Sequence, residues 1–286
     1  MSYSGKALQV GTLISQIRVH HTSFKETLDG VGRIIQLGNH LRQPVGASVI
    51  APAGAGKSLL IECVQKNVCS WSFLRENSVL VASLKEAPTV AQIQDDLLEN
   101  FSYAISPRSR SQTNAVLFNV LAEAIDQHDI RLIALDEYQH VFLARKVEVH
   151  AAIIDWTKRL MSRTKRPVLL SGTETLRAIE TADPQLSTRI PTVFSLPEFK
   201  NNEEWRGLLT AFATAARDIN LSLLCSNYAT AVFKAAEGTM RRLKLLIIEA
   251  SMIAIDDHKG TVEKDHLQLA FERIFGSGSS RVNPFR

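Results

Sequence analysis

The sequence predicts an α/β protein: a parallel, doubly wound sheet followed by a small all-helical domain. Two observations carry that reading. Short, continuous apolar runs alternate with helical periodicity up to about Pro197, and beyond it the runs stop while the helical spacing continues to Phe275. Unbroken apolar runs suit strands buried on both faces of a parallel sheet, and strands separated by crossover helices build a doubly wound one.

Taken in order, the strands are expected at 46–51 (GASVIA), 78–84 (SVLVASL), 131–136 (RLIALD), 167–172 (PVLLSG) and 192–196 (TVFSL). One helix follows Lys57, with Leu60, Val64 and Val68 on one side. Another starts at Thr89, which forms a capping box with Gln92 and precedes Val90, Ile93, Leu97 and Phe101. A third carries Val116, Leu117, Val120 and Leu121. In the helical region, Asn201 and Glu204 read as a cap ahead of Leu208, Leu209 and Phe212. Further apolar sets follow at Val232–Phe233, at Leu243, Leu246, Ile247 and Ala250, and at Leu267, Phe271 and Ile274. The expected division is 1–197 for the α/β domain with its lead-in, 198–275 for the helical domain and 276–286 for a flexible Gly/Ser-containing tail.

Composition narrows the function classes. The chain has 286 residues, 45% hydrophobic and 22% charged, which is ordinary globular material. No apolar run of about 18 residues occurs, and the first residues lack a secretory signal, so a cytosolic location is expected. Three scattered cysteines form no CxxC pair, and no HExxH motif occurs, which argues against a disulfide framework and against zinc. The formal charge of +4 is mild, but Arg145–Arg166 holds seven basic residues (Arg145, Lys146, Lys158, Arg159, Arg163, Lys165 and Arg166) against Glu148 and Asp155. Such a cluster is either a solvated face or a contact for a polyanion.

The stretch 51–58, APAGAGKS, sits between an expected strand and an expected helix. A loop wraps a phosphate when its backbone N–H groups turn inward, and Gly54 and Gly56 permit that. Ala53, Ala55 and Leu59 complete the loop, and the helix after it points its positive end at the anion. Lys57 would reach the β and γ phosphates and Ser58 would hold Mg²⁺. Ala51 stands where the usual pattern has its first glycine, and a small side chain at a strand end meets the same steric need. A second buried strand ends in Asp136-Glu137: the aspartate is placed to bind Mg²⁺, the glutamate to polarise an attacking water. The strand of 167–172 should lie between the other two and ends in Ser171 and Thr173, either of which can position the water or sense the γ-phosphate; Thr173 is preferred. Arg189, just before the last strand, is placed to reach a neighbouring subunit's γ-phosphate, and Arg241, with Arg242 as the alternative, begins a helix of the small domain. The expected cofactors are ATP and Mg²⁺, and the expected activity is ATP hydrolysis.

Phosphate loop, Asp-Glu pair, strand-end polar residue, late arginine and a helical lid opening on GTMRR together resemble the AAA+ ATPases. Within that class, GTETL, STRI and GTMRRLKLLIIEA look most like the TniB/TnsC transposition regulators, relatives of MuB. The resemblance covers about Thr12 to Phe275 and implies assembly on duplex DNA with ATP, recruitment of a transposase and contact with a TniQ-type targeting partner. It also suggests His21 and Phe24, in the lead-in HHTSFKETLDGVGRII, as adenine contacts.

If subunits form a ring or helical filament, the bore must meet phosphates without reading bases. The loop SPRSRSQT (106–113), with Arg108, Arg110 and Thr113, is the first candidate, and the basic stretch beginning at Arg145 and Lys146 is the second. The competing reading is a helicase loader of the DnaC/IstB kind. A replication initiator would add a winged-helix domain, for which Gly276–Arg286 leaves no room, and a protein unfoldase would need an aromatic–aliphatic–glycine pore loop, which does not occur between Ser83 and Arg131.

Overall fold

The computed structural model describes residues 2–43, 45–101, 114–143, 147–276 and 282–286. In chain order the elements are α1 (Gly5–Gln16), α2 (Thr22–Leu41), β1 (Gly46–Ile50), α3 (Lys57–Gln65), β2 (Val79–Ser83), α4 (Val90–Glu99) and α5 (Asn114–Gln127). Then come β3 (Leu132–Asp136), α6 (Gln139–Leu143), α7 (Val147–Thr164), β4 (Val168–Gly172), a 3₁₀ turn (Glu174–Ala178), α8 (Ile179–Ala182), α9 (Pro184–Arg189) and β5 (Thr192–Ser195). The remainder is helical: α10 (Glu203–Ala215), α11 (Ser222–Cys225), α12 (Ala229–Ala236), α13 (Met240–Asp256) and α14 (Lys264–Phe275). Two compact units result, one from Ser23–Leu196 and one from Met1–Thr22 together with Pro197–Arg286.

The first unit is a parallel sheet of strand order β2-β3-β4-β1-β5 among the described residues. All five expected strands are present, each trimmed by a residue or two. Every residue of β1, β3 and β4 is buried, as their unbroken apolar runs require, while the edge strand β5 alternates half-buried and exposed positions. Alternation along each strand feeds two cores. Ala47, Val49, Ala134 and Leu169 face α2 and α3 through Phe24, Leu28, Leu60 and Val64. Leu135, Val168 and Leu170 face α4, α5 and α7 through Leu97, Leu121, Ile153 and Leu160. The register pairs Ile50 with Gly172 and Leu135 with Leu170, so β1, β3 and β4 end at one edge, where open α/β sheets bind ligands. The strand of 168–172 lies between the other two, as expected.

The second unit packs around Trp205, Phe212, Leu246, Phe271 and their neighbours, with the Trp205 indole N–H donating to Ala229 O at 3.0 Å. Here the structure departs from expectation twice. Helix α1, capped by Ser4 Oγ accepting from Ala7 N–H, buries Ala7, Val10 and Ile14 in this core, so the lead-in through Thr22 belongs to the helical unit and not to the α/β domain. At the other end, residues 282–286 are docked: Phe285 is 1% exposed in the same core, and the Asn283 amide donates to Gln268 O at 3.0 Å. An aromatic ring five residues past the Gly/Ser run gains enough by burial to hold residues 282–286 against the core.

Smaller differences have local causes. Helix α10 is capped by Asn202, whose side chain accepts from Trp205 N–H, and not by Asn201; this register puts Trp205 into the core. Helix α3 stops at Gln65 and Asn67 takes a positive φ, which leaves Val68 exposed. On α5 the buried face is Leu117, Phe118 and Leu121, while Val116 and Val120 face outward. The Thr89–Gln92 capping box forms as expected. None of the described helices is long and apolar enough to cross a membrane.

The docked segment is open to direct measurement. Phe285→Ala is expected to destabilise the helical unit by about 3–5 kcal/mol, the usual cost of emptying a buried phenyl site. Val282→Ala, at a position 86% exposed, should stay within about 0.5 kcal/mol, both read from denaturant midpoints.

Candidate nucleotide-binding site

The loop after β1 turns on two glycines: Gly54 has φ 81° and Gly56 has φ 106°, backbone regions that side chains rarely enter. Gly56 is also the N-cap of α3, so the helix start and the loop share a residue. Ala51 needs no such freedom. Its backbone stays outside the positive-φ set, its N–H donates to Gly172 O at 3.0 Å, and its methyl is buried in the core beside Ala55 and Phe24. Alanine therefore serves where a glycine is more usual. Ala53 sits in the intervening turn and Leu59 packs against the core from the first turn of α3.

Lys57 is 6% exposed, and its ammonium donates to Ala51 O at 3.1 Å and Pro52 O at 3.4 Å. A lysine held over its own loop carbonyls keeps its charge inside the cradle. Ser58 Oγ donates to Asp136 Oδ2 at 3.3 Å. A hydroxyl and a carboxylate converging at that separation form the hard-oxygen donor set that Mg²⁺ prefers, so the residues fit the ion.

Asp136 is 7% exposed and its other oxygen, Oδ1, accepts from Ser171 Oγ and, at 2.9 Å, from Glu137 N–H. Ser171 itself is fully buried. Thr173 is half-buried, with its hydroxyl 3.4 Å from that of Thr175. Of the two strand-end candidates, Ser171 is the one whose side chain touches the acidic pair. Glu137 has φ 54°, a left-handed conformation that costs a non-glycine residue about 1–2 kcal/mol and ends the extended backbone of β3.

The remaining expected residues are placed less simply. Phe24 is 2% exposed, and lies 3.8 Å from where a Gly56 side chain would begin, so it supports the loop from below. His21 belongs to the helical unit, where it meets Phe199 edge-on at 4.7 Å and lies 3.7 Å from Glu204. Burial holds the His21 imidazole below its usual pKa, against the opposing pull of the Glu204 carboxylate. Arg189 donates to Lys158 O and Ser162 Oγ, both at 2.6 Å, so its guanidinium is tied to α7 of its own chain. Arg241 is exposed in the first turn of α13, whereas Arg242 is paired with Glu237. The glycine before them is obligatory: Gly238 has φ 68°, and a Cβ there would meet Phe199 O at 2.3 Å.

The proposed DNA contacts Arg108, Arg110, Thr113, Arg145 and Lys146 lie outside the described residues. Much of the basic stretch after them is engaged within the chain. Lys158 bridges Asp155 and Asp183 at 2.9 and 2.7 Å, Arg159 stacks over Phe118 at 4.2 Å, and Arg163 and Arg166 approach Asp126. Four of the run's cations, Lys158, Arg159, Arg163 and Arg166, are thus engaged within the chain. Gln139, not anticipated from the sequence, is also at the site: it is 5% exposed, and its amide reaches both Glu137 and the backbone of Thr173.

A parallel sheet of this order, with a lysine-bearing phosphate loop beside an Asp-Glu strand end and helices following, defines the class as AAA+ ATPases. Within it, a family model described as Bacterial TniB protein matches residues 12–201, more than half of the chain, and the chain belongs to the TniB family. No curated protein matches it in sequence. Among solved structures it is similar to the Aeropyrum pernix ORC2 protein in ADPNP–ADP complexes, with TM-score 0.67, 16% identity and coverage of 90% of this chain and 68% of that one. Similar too are Cdc6p from Pyrobaculum aerophilum (TM-score 0.66, 13% identity, 92% and 70% covered) and the Aeropyrum pernix ORC1 protein in complex with DNA (0.62, 15%, 93% and 69%). At these identities the likeness is one of fold.

The geometry separates the two strand-end candidates. Ser171→Ala removes a hydroxyl donor to a buried carboxylate and should cost about 1.5–3 kcal/mol of stability, with a drop in Mg²⁺-nucleotide affinity. Thr173→Ala should change stability by less than about 0.5 kcal/mol. Denaturant titration and equilibrium binding of a fluorescent ATP analogue read both.

Proposed function

We propose that this protein is an ATP-hydrolysing transposition regulator that oligomerises on duplex DNA, marks a target and recruits or activates a transposase, with hydrolysis controlling disassembly. The observation that carries the reading is Asp136, joined to Ser58 of the phosphate loop and to Ser171 of β4 in a chain of the TniB family. ATP would lie along the 51–58 loop with its phosphates on the loop N–H groups and Lys57. Mg²⁺ held by Ser58 and Asp136 would neutralise charge on the β and γ phosphates. Glu137, next to Asp136 at the strand end, would accept a proton from the attacking water.

Two arginines would complete the scheme. Arg189 is proposed as the residue that reaches a neighbouring subunit's γ-phosphate, which would require it to exchange its two hydrogen bonds to α7 for a phosphate. Arg241, exposed at the start of α13, is the proposed sensor within the chain, and His21 and Phe24 are the proposed adenine-side residues. DNA is assigned to Arg108, Arg110, Thr113, Arg145 and Lys146 as non-specific phosphate contacts, with a TniQ-type protein as targeting partner. The structure of one fold relative, the Aeropyrum pernix ORC1 protein, is of its complex with DNA, which supports the DNA-associated reading. The expected location is the cytosol.

Glu137→Gln tests the scheme. Steady-state turnover should fall at least about 100-fold, while ATP-dependent assembly on duplex DNA, followed by negative-stain imaging, persists and outlasts that of the wild type. Lys57→Ala should abolish both. Particles that ignore DNA in every nucleotide condition would overturn the reading.

A further inference from the structure

The Glu137 carboxylate is not aimed by the strand that carries it. Its backbone has left the β conformation at φ 54°, and its Oε2 accepts a hydrogen bond from the Gln139 amide N–H₂. The other end of the same amide, Oε1, accepts from the backbone N–H of Thr173 at 3.3 Å, at the first residue past β4. Gln139 is 5% exposed, and the amide orientation follows from chemistry: a carboxylate only accepts and a peptide N–H only donates. The strand end is built around it, since a side chain at Gly172 would begin 2.5 Å from Gln139 Oε1 and 2.9 Å from Leu176 Cγ. Tyr138 reinforces the join by donating its N–H to Ser171 O at 2.9 Å.

We propose that Gln139 is a positioning residue for ATP hydrolysis, whose side-chain amide couples the end of β4 to the Glu137 carboxylate. The proposal rests on reading Glu137 as the group that accepts the proton of the attacking water. A side chain at this place needs a donor toward the carboxylate and an acceptor toward the N–H, on a stem long enough to span both. Glutamine meets all three conditions. Any shift of the Thr173 backbone then moves the carboxylate, so this link acts on the reacting water, whereas the separate Ser171–Asp136 link acts on the phosphate loop.

The test compares Gln139→Met, which keeps length and bulk but neither hydrogen bond, with Gln139→Glu, which keeps the acceptor and sets a second carboxylate against Glu137. ATP turnover and the dissociation constant of a fluorescent ATP analogue are measured on the full chain with duplex DNA, in wild-type and Glu137→Gln backgrounds. Both variants should lower kcat about 10- to 100-fold, the scale of a mispositioned catalytic group, with nucleotide affinity unchanged within threefold. In the Glu137→Gln background, Gln139→Met should add less than a twofold loss, because both changes remove the same event. Wild-type turnover in either variant would overturn the coupling while leaving Glu137's role intact. So would an equal loss in both backgrounds, or a parallel loss of nucleotide affinity, since either marks a structural role. Full turnover in Glu137→Gln alone would overturn the reading of Glu137 and the coupling with it.

Discussion

The carboxylate of Asp136 is the point on which the α/β unit's chemistry depends. One oxygen accepts from Ser58 at the start of α3; the other accepts from Ser171 in β4 and from the N–H of Glu137. A buried anion is tolerated when donors surround it, and three donors from three segments do so here. The result is mechanical as well as electrostatic: phosphate loop, central strand and its neighbour are joined at one atom group.

That arrangement requires the sheet to be as it is. Only with β4 between β3 and β1 can a serine of β4 meet an aspartate of β3, while the loop after β1 stays adjacent to both. The buried faces supply the rigidity: the strands that carry the site are shielded on both sides, whereas the edge strand is not. The two glycines of the loop and the strained Glu137 are the places where regular geometry gives way, and they fall at the same sheet edge. Gln139 hydrogen-bonds the Glu137 carboxylate and the Thr173 N–H at that same edge.

The helical unit follows a different logic. Its core is made by segments from both ends of the chain, α1 and residues 282–286, around helices that come from the second half. Buried apolar side chains decide this. Ala7, Val10 and Ile14 form a narrow stripe on α1, and Phe285 is a single ring near a Gly/Ser run, so neither carries a strong local signal of its destination. Similarly, the partners of Lys158, Arg159, Arg163 and Arg166 are Asp155, Asp183, Phe118 and Asp126, most of them distant in the chain and so not legible from the basic run itself.

By itself the sequence determined the five strands, the phosphate loop and the Asp-Glu pair, because each rests on local signals: unbroken apolar runs, glycines beside a lysine, acids at a strand end. Ala51 was legible as a tolerable departure for the same reason, since the steric demand at a strand end is local. Tertiary structure decided the rest. It selected Ser171 over Thr173 as the partner of Asp136, Asn202 over Asn201 as a cap, and Gln139 as a bridge between two strand ends. Each of those choices turns on which of two neighbouring side chains points at a distant partner. Residue type does not encode that direction; the packing of strands and helices against one another does.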